Sequence, residues 1–252
     1  MNDFEAEVIR NEHITKDFFI IDFNLSMPIE DIWPGQFVMV KIPDKTVFLR
    51  RPFSIYNLKG NSLSIMYKVK GTGTMLLSKI PKGIKTQILG PLGKGFDIHT
   101  PDTVKPVVIA GGIGIAGVHM LIKKLKKTPD IFYGCADETE LRLIDDIKTK
   151  PVFTATMDGS SGFKGDVISL FERQFQHYHT PLWVYACGPS AMYKSLKEKI
   201  PHSVHCEVLL EETMACGLGL CFGCVKKTLD EKEPYKRVCK EGPVFHIWQI
   251  LL

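Results

Sequence analysis

Four of the chain's seven cysteines, Cys216, Cys221, Cys224 and Cys239, follow the order C-x4-C-x2-C-x14-C. A C-x4-C-x2-C core with one distant cysteine is the ligand spacing of plant-type [2Fe–2S] sites, in which four thiolates complete two iron tetrahedra. Gly217, Gly219 and Gly223 lie between the first three cysteines. They let the loop wrap closely and turn backbone N–H groups toward sulfur, which tunes such a centre. The competing reading is a zinc site, but zinc sites usually pair two C-x2-C-like knuckles and only one is present. A disulfide framework is disfavoured by the odd cysteine count and by the acidic start Met1-Asn2-Asp3-Phe4-Glu5, which lacks the basic and apolar blocks of an export signal. The expected setting is the reducing cytoplasm.

With 252 residues, there is room for one large domain or two compact ones with a small appendage. A composition 44% hydrophobic and 24% charged excludes disorder. The net charge of +4, from 32 basic and 28 acidic residues, is too small for a nucleic-acid surface. No apolar run reaches the roughly 18 residues that a membrane-spanning helix needs, so no membrane is expected.

Three stretches differ in pattern. Residues 1–100 carry short β-type runs (18–21, 36–42 and 63–69) separated by turn signals such as Trp33-Pro34-Gly35 and Pro81-Lys82-Gly83. That spacing predicts an antiparallel barrel or sandwich, with one helical piece after Gly73. Residues 101–203 alternate strands (105–110, 130–134, 152–155, 182–186) with helices (118–127, 138–147, 166–175, 190–199), which predicts a parallel sheet with crossovers. Residues 204–252 are dense in cysteine and glycine and short on periodicity, too little chain for an independent core, so the cluster is expected to staple them.

Gly112-Ile113-Gly114-Ile115-Ala116-Gly117 fits G-x-G-x-x-G after a predicted strand and before a predicted helix. That context suits a nucleotide pyrophosphate at a helix N-terminus; an ordinary tight strand-to-helix turn is the competing reading. No Arg or Lys follows the second strand at Cys135-Ala136-Asp137, and Asp137 would repel a 2′-phosphate, which favours NAD over NADP. Cys187-Gly188-Pro189 sits at the C-terminal end of another predicted strand, either beside a ligand or as a packing residue.

Arg51-Pro52-Phe53-Ser54, Gly71-Thr72-Gly73-Thr74, Gly111-Gly112-Ile113-Gly114 and Cys187-Gly188-Pro189-Ser190-Ala191-Met192 occur in that order, and the chain thereby resembles the ferredoxin-NADP reductase superfamily. Adding Glu211-Glu212-Thr213-Met214 and the cysteine run narrows the resemblance to electron transfer subunits of NAD-dependent dihydroorotate dehydrogenase, over essentially the whole chain. The resemblance implies an FAD-binding β-barrel (1–100), an NAD-binding α/β domain (101–203) and a small [2Fe–2S] domain (204–252). It further implies that Arg51 holds the FAD phosphates, that Pro52 and Phe53 share its strand, and that Ser54 lies near the reactive flavin edge. Tyr67, Lys68 and Val69 would line the cofactor, and Gly73 and Thr74 would receive the pyrophosphate. Gly111, Gly112 and Gly114 would lie under the nicotinamide nucleotide, with Cys187 near its ring. Cys216, Cys221, Cys224 and Cys239 would hold the cluster. The implied partner is an FMN-containing catalytic subunit in a heterotetramer, since nothing in this chain supplies a pyrimidine site or a deprotonating base.

There are departures. Many relatives have proline where Gly117 stands, and arginine where Ala136 stands; the second supports NAD. Lys123, Lys124, Lys126 and Lys127 read as a solvated helix face, His177 and His179 as a polar connection, and Cys135 and Cys206 as packing residues. The apolar end from Phe245 to Leu252 reads as a terminal strand or a docking surface.

Overall fold

The computed structural model describes residues 1–252. Two seven-stranded sheets and a small ribbon account for its β-structure. The first sheet is antiparallel and contains β1 (Asn2–Thr15), β2 (Phe18–Leu25), β3 (Phe37–Val40), β4 (Arg51–Ser54), β5 (Asn57–Lys59), β6 (Ser62–Lys68) and β7 (Lys85–Leu92) in the order β4-β3-β7-β1-β2-β6-β5. Alternation sets its inner face. On β7 the buried Thr86, Ile88, Gly90 and Leu92 alternate with more exposed neighbours, as a half-buried strand requires. The sheet curls until β4 faces β6 without a hydrogen-bonded ladder, and Phe53 meets Tyr67 edge-on across that seam at 5.8 Å. The result is a barrel open along one side, and α1 (Thr72–Leu77) follows β6.

The second sheet is parallel apart from one edge strand. It contains β8 (Lys105–Gly111), β9 (Asp130–Cys135), β10 (Val152–Thr156), β11 (Phe163–Lys164), β12 (Leu182–Cys187), β13 (His205–Leu209) and β16 (Val244–His246), in the order β11-β10-β9-β8-β12-β13-β16. Its central strands are buried on both faces, so they read as continuous apolar runs such as Val107-Val108-Ile109-Ala110. The helix α2 (Ile115–Lys124) packs on one face, and α3 (Val167–Phe175) and α4 (Ser190–Lys199) on the other. The ribbon pairs β14 (Val225–Lys227) with β15 (Tyr235–Arg237). No helix is long and apolar enough to cross a membrane.

Three expectations change. Residues 138–147 form 3-10 turns rather than an α-helix; both ends of the segment are tied to the barrel, by Lys16 to Asp137 and Glu140 and by Tyr56 to Asp146. The parallel sheet does not stop at residue 203, because β13 pairs with β12 and β16 pairs with β13. The apolar C-terminus therefore closes a sheet edge, with Phe245, Ile247 and Ile250 buried. Lys123 and Lys124 are exposed but not merely solvated: they reach Asp146 and the carbonyl of Ile32 at 3.2 and 2.8 Å.

The start of α3 is capped by Asp166, which accepts from the N–H groups of Ile168 and Ser169 at 2.9 and 3.0 Å. Partial burial raises this carboxyl, but bonds from Ser169 and the backbone outweigh it and hold its pKa below the ordinary value. The cap's contribution is therefore present above the unfolded carboxyl's pKa and is lost as pH falls through the lower folded one. Asp166→Ala is expected to cost about 1 kcal/mol in denaturant unfolding at neutral pH, with the difference shrinking below roughly pH 4.

Candidate functional site

The two sheets and the 209–214 segment enclose a cavity of about 480 Å³. The barrel contributes Pro52, Phe53 and Ser54 from β4, Tyr67 and Lys68 from β6, and Thr74 from α1. The α/β half contributes Ile113 and Ala116, and the connecting segment contributes Leu210, Glu211 and Met214 among others. Six of the residues singled out in the sequence thus meet on one wall.

Arg51 and Gly73 lie beside this wall. A Cβ on Gly73 would fall 2.9 Å from Arg51 Nε, so the missing side chain is what lets the guanidinium lie across the start of α1. Nη1 of Arg51 donates to the Leu49 carbonyl at 2.6 Å, and no carboxylate pairs with the guanidinium. An unneutralised guanidinium at that place fits a diphosphate. Thr74 builds the turn: its hydroxyl accepts from the N–H groups of Lys70 and Gly71 at 2.9 and 3.2 Å. The Tyr67 hydroxyl is spent inside the barrel on Asn11 Oδ1 at 3.1 Å, and the Val69 N–H on the Asp17 carbonyl at 2.8 Å. Lys68 Nζ lies 4.8 Å from the centre of the Phe18 ring.

On the other side, β8 and β12 are neighbours, with Cys187 in register with Ala110. Their C-terminal turns meet at the point where strand order reverses, the place where open α/β sheets hold ligands. The contact is close. A Cβ on Gly114 would lie 2.2 Å from the Cys187 carbonyl oxygen, and one on Gly111 would lie 3.0 Å from Met192 Sδ and from Pro189. Gly112, at φ +52°, has nothing within 4 Å of its Cβ direction and faces open space. Gly117 stands between the two halves, its Cβ direction 2.9 Å from Cys187 Sγ and 3.5 Å from Ser54 Oγ. Burial pushes the Cys187 thiol far up, with the Glu211 charge adding to it, so Cys187 presents a neutral thiol. Tyr193, which the sequence did not flag, supports this turn from α4: its hydroxyl accepts from the Gly188 N–H at 2.8 Å and donates to the Leu209 carbonyl at 2.5 Å.

Asp137 is not the free anion expected from the sequence. It pairs with Lys16, which the β1–β2 hairpin brings across from the barrel, and accepts from the Thr139 N–H at 3.0 Å. The Lys16 bond leads the interactions that hold its pKa down to about 2. With its charge matched by Lys16, Asp137 would not repel a 2′-phosphate as a lone carboxylate does.

The four cysteines of the C-x4-C-x2-C-x14-C run come together as two pairs. Cys216 is in side-chain contact with Cys221, and Cys239 with Cys224. Backbone N–H groups point at the sulfurs: Leu218 at Cys216 (3.3 Å), Gly223 at Cys221 (3.5 Å) and Cys239 at Cys224 (3.5 Å). Burial raises the Cys216 thiol, yet bonds from Leu218, Cys221 and Leu220 bring it down to about 6, toward the thiolate that iron needs. No three His, Cys, Asp or Glu side chains converge as one metal ion requires. Four cysteines in two pairs suit a two-iron centre, where each iron takes two protein sulfurs, and fit single-ion zinc poorly. Burial and the neighbouring Cys224 push the Cys239 thiol up to about 12, so it would give up its proton only on binding metal. Gly217 and Gly219 adopt φ +69° and +76°; a Cβ on the first would strike Met39 Cγ at 2.7 Å, which shows how tightly the loop lies on the barrel. Arg237, also missed in the sequence, donates to the Gly219 carbonyl at 2.9 Å, pairs with Glu241 and stacks on Phe222 at 5.1 Å. Its one sequence signal is the i,i+4 spacing of Arg237 and Glu241 around Cys239.

Comparison with known proteins agrees with this geometry. Residues 5–96 match the model of the oxidoreductase FAD-binding domain, and residues 211–251 match that of the iron-sulfur cluster binding domain of dihydroorotate dehydrogenase B. The electron transfer subunit of dihydroorotate dehydrogenase B (NAD+) from Caldanaerobacter subterraneus is 36% identical over 250 residues, covering 98% of each chain. A homolog of that subunit from Aquifex aeolicus is 36% identical over 258 residues, covering 99% of each. Among solved structures, an NADH-dependent reduced ferredoxin-NADP oxidoreductase superposes with a TM-score of 0.84 at 26% identity, covering 98% of this chain and 89% of that one. With full-length relatives at this identity, and with the barrel, the glycine turn and the paired cysteines in place, the chain belongs to the family of electron transfer subunits of NAD+-dependent dihydroorotate dehydrogenase B.

Proposed function

We propose that this chain carries electrons from a dihydroorotate-oxidising partner subunit to NAD+, in the reaction dihydroorotate + NAD+ → orotate + NADH + H+ of pyrimidine (UMP) biosynthesis. The observation that carries this reading is the covalent continuity between the cavity and the cysteine site. Met214 lines the cavity and Cys216 stands two residues further on, so their Cα atoms are at most about 7 Å apart. When bound, the [2Fe–2S] cluster supplies one-electron exchange and FAD supplies hydride transfer to NAD+.

The chain's own residues bind, orient and shield. Arg51 beside Gly73 and Thr74 would hold the FAD diphosphate. Pro52, Phe53, Tyr67, Lys68 and Val69 would wall the flavin, and Ser54 would offer its hydroxyl at the reacting edge. Gly111, Gly112 and Gly114 would let the dinucleotide approach the backbone, with the neutral Cys187 thiol filling the space behind the nicotinamide. Cys216, Cys221, Cys224 and Cys239 would bind the irons. The barrel would serve FAD (1–100), the α/β unit NAD (101–203) and the remainder the cluster (204–252), although the last two share one sheet. We infer an FMN-containing catalytic subunit as partner, two copies of each forming the complex, in the cytoplasm. Leu220 and Phe222, 76% and 60% exposed on either side of the exposed Cys221, offer that partner an apolar rim.

The likeness to the NADH-dependent reduced ferredoxin-NADP oxidoreductase supports a second reading, a subunit of a ferredoxin-linked nucleotide oxidoreductase. The purified complex separates the two: dihydroorotate-dependent NAD+ reduction is expected, and activity with reduced ferredoxin in its place would overturn the first reading. The protein should show flavin bands with a broad shoulder. Cys221→Ser should remove the shoulder and the dihydroorotate-linked activity while NADH oxidation by ferricyanide persists; zinc without iron in the native protein would reject the cluster. Gly117→Ala places a methyl 2.9 Å from Cys187 Sγ and 3.1 Å from Leu209 Cδ1. It should lower kcat for NADH oxidation on the order of tenfold with flavin content unchanged.

A further inference from the structure

A fully buried histidine, given no role above, joins the two halves of the molecule. His119 lies one turn into α2 with no solvent exposure. Its ring stacks on Tyr56, with centroids 3.7 Å apart and planes 13° from parallel. Tyr56 belongs to the barrel, two residues beyond Ser54. His119 Nδ1 is 2.8 Å from the Tyr56 carbonyl oxygen and Nε2 is 2.5 Å from Asp146 Oδ2. Asp146 also accepts from the Tyr56 hydroxyl at 3.1 Å and from Lys123 Nζ at 3.2 Å.

These partners fix the proton inventory. A carbonyl can only accept, so Nδ1 carries a hydrogen. Asp146 already accepts from two other donors, one of them a cation, and so stays ionised. Nε2 facing that carboxylate carries a hydrogen too. We propose that His119 is a buried imidazolium that bolts α2 to the barrel, and that it is a positioning residue setting the approach of the nicotinamide side of the site to the flavin side.

The placement supports the role. Gly117, between Cys187 Sγ and Ser54 Oγ, is two residues before His119 on the same helix. Met120, the next residue, packs into the barrel core. Two other ties across this boundary have exposed members, Lys16 to Asp137, with the Lys16 side chain 39% exposed, and Lys124 to the Ile32 carbonyl. A third, from the buried Tyr185 hydroxyl to the Asp97 carbonyl at 2.6 Å, holds β12 rather than α2. Exposed pairs contribute little. Removing one member of a pair anchored on a buried ring is costly, because the other is left without its partner. A small rotation of α2 would carry Gly114 and Gly117 with it, and misplacement of reacting groups by about 1 Å can cost on the order of 100-fold in rate.

The positioning role rests on the flavin and nicotinamide reading above; the bolt itself does not. The test uses the full-length protein with its bound groups and two variants, His119→Gln and Asp146→Asn. The second removes the charge at a side chain 41% exposed while keeping its size and one acceptor oxygen, so it perturbs the packing less than the first. Hydrogen exchange followed by mass spectrometry should show at least about tenfold faster exchange in peptides covering 53–58 and 115–124 for both variants, with the β1–β2 ladder unchanged. In NADH oxidation by ferricyanide, kcat should fall roughly 10-fold or more for His119→Gln and less for Asp146→Asn, with KM within about twofold. Unchanged exchange in Asp146→Asn would overturn the ion-pair bolt. Faster exchange with kcat intact would overturn the positioning role. A native protein that exchanges as expected but does not oxidise NADH would leave the bolt standing and sink the nicotinamide reading on which the positioning role depends.

Discussion

The close approach of two strand-end turns, Gly111–Gly114 after β8 and Cys187–Gly188 after β12, is the constraint on which the rest of the molecule depends. The turns touch through backbone, with no room for a Cβ at Gly114, so neither can move without the other. Tyr193 then ties the second turn to the end of β13 through the Leu209 carbonyl, and the chain leaves β13 directly into the cavity wall at Leu210. On the other side, α2 begins at the first turn and sends Met120 into the barrel core. One contact thus sets the positions of the glycine turn, the neutral Cys187 and the connection toward the cysteine loop. It also explains the concentration of glycine here, since this is a junction of backbones and any side chain would hold them apart.

The cysteine-bearing segment obeys a different economy. It has only a three-residue ribbon of its own, and its apolar side chains lean on neighbours: Cys224, Val238 and Cys239 join the core on the α3–α4 face of the parallel sheet. The loop between Cys216 and Cys224 has backbone but little core. Its left-handed residues, Gly217, Gly219 and even Phe222 at φ +57°, are held by Met39 below, Arg237 alongside and sulfur-directed N–H groups within. The Arg237–Glu241 pair is about a quarter exposed and by itself contributes modestly. Its further bond to the Gly219 carbonyl makes it structural, because it joins the loop to the segment carrying Cys239. Bound iron would close the same two segments covalently, so metal and fold reinforce one another here.

Much of this was legible in the sequence, where the controlling signal was local. The cysteine spacing, the alternation in the β-rich stretch and the strand–glycine–helix order at 105–124 each encode their own geometry within a few residues. What escaped depends on partners far along the chain. Asp137 reads as a lone acid until the hairpin delivers Lys16 from 121 positions away. Residues 138–147 have the amphipathic look of a helix, yet contacts with the barrel at both ends accompany tighter 3-10 turns. β13 carries little periodicity because it is short and becomes a strand only by pairing with β12 of an existing sheet. His119 looks like one more residue of a helix, and only the folded chain shows that both its nitrogens face acceptors.

The arrangement also bears on why the barrel, the parallel sheet and the cysteine loop are packed as one. One-electron and two-electron chemistry have different spatial needs. Hydride transfer requires two rings within van der Waals contact and in fixed orientation, a demand that suits rigid bodies joined where His119 of α2 stacks on Tyr56. Single electrons tolerate a gap, so the cysteine loop can sit at the surface with its apolar rim and exposed Cys221 open to a partner. The short run from Leu210 to Cys216 links the two without a hinge: Leu210 N–H is bonded to the Pro243 carbonyl at 2.9 Å, and Glu212 pairs with Lys226 at 2.7 Å. The cysteine loop and the strand-end turns are thus held by separate sets of contacts joined through one fixed connection.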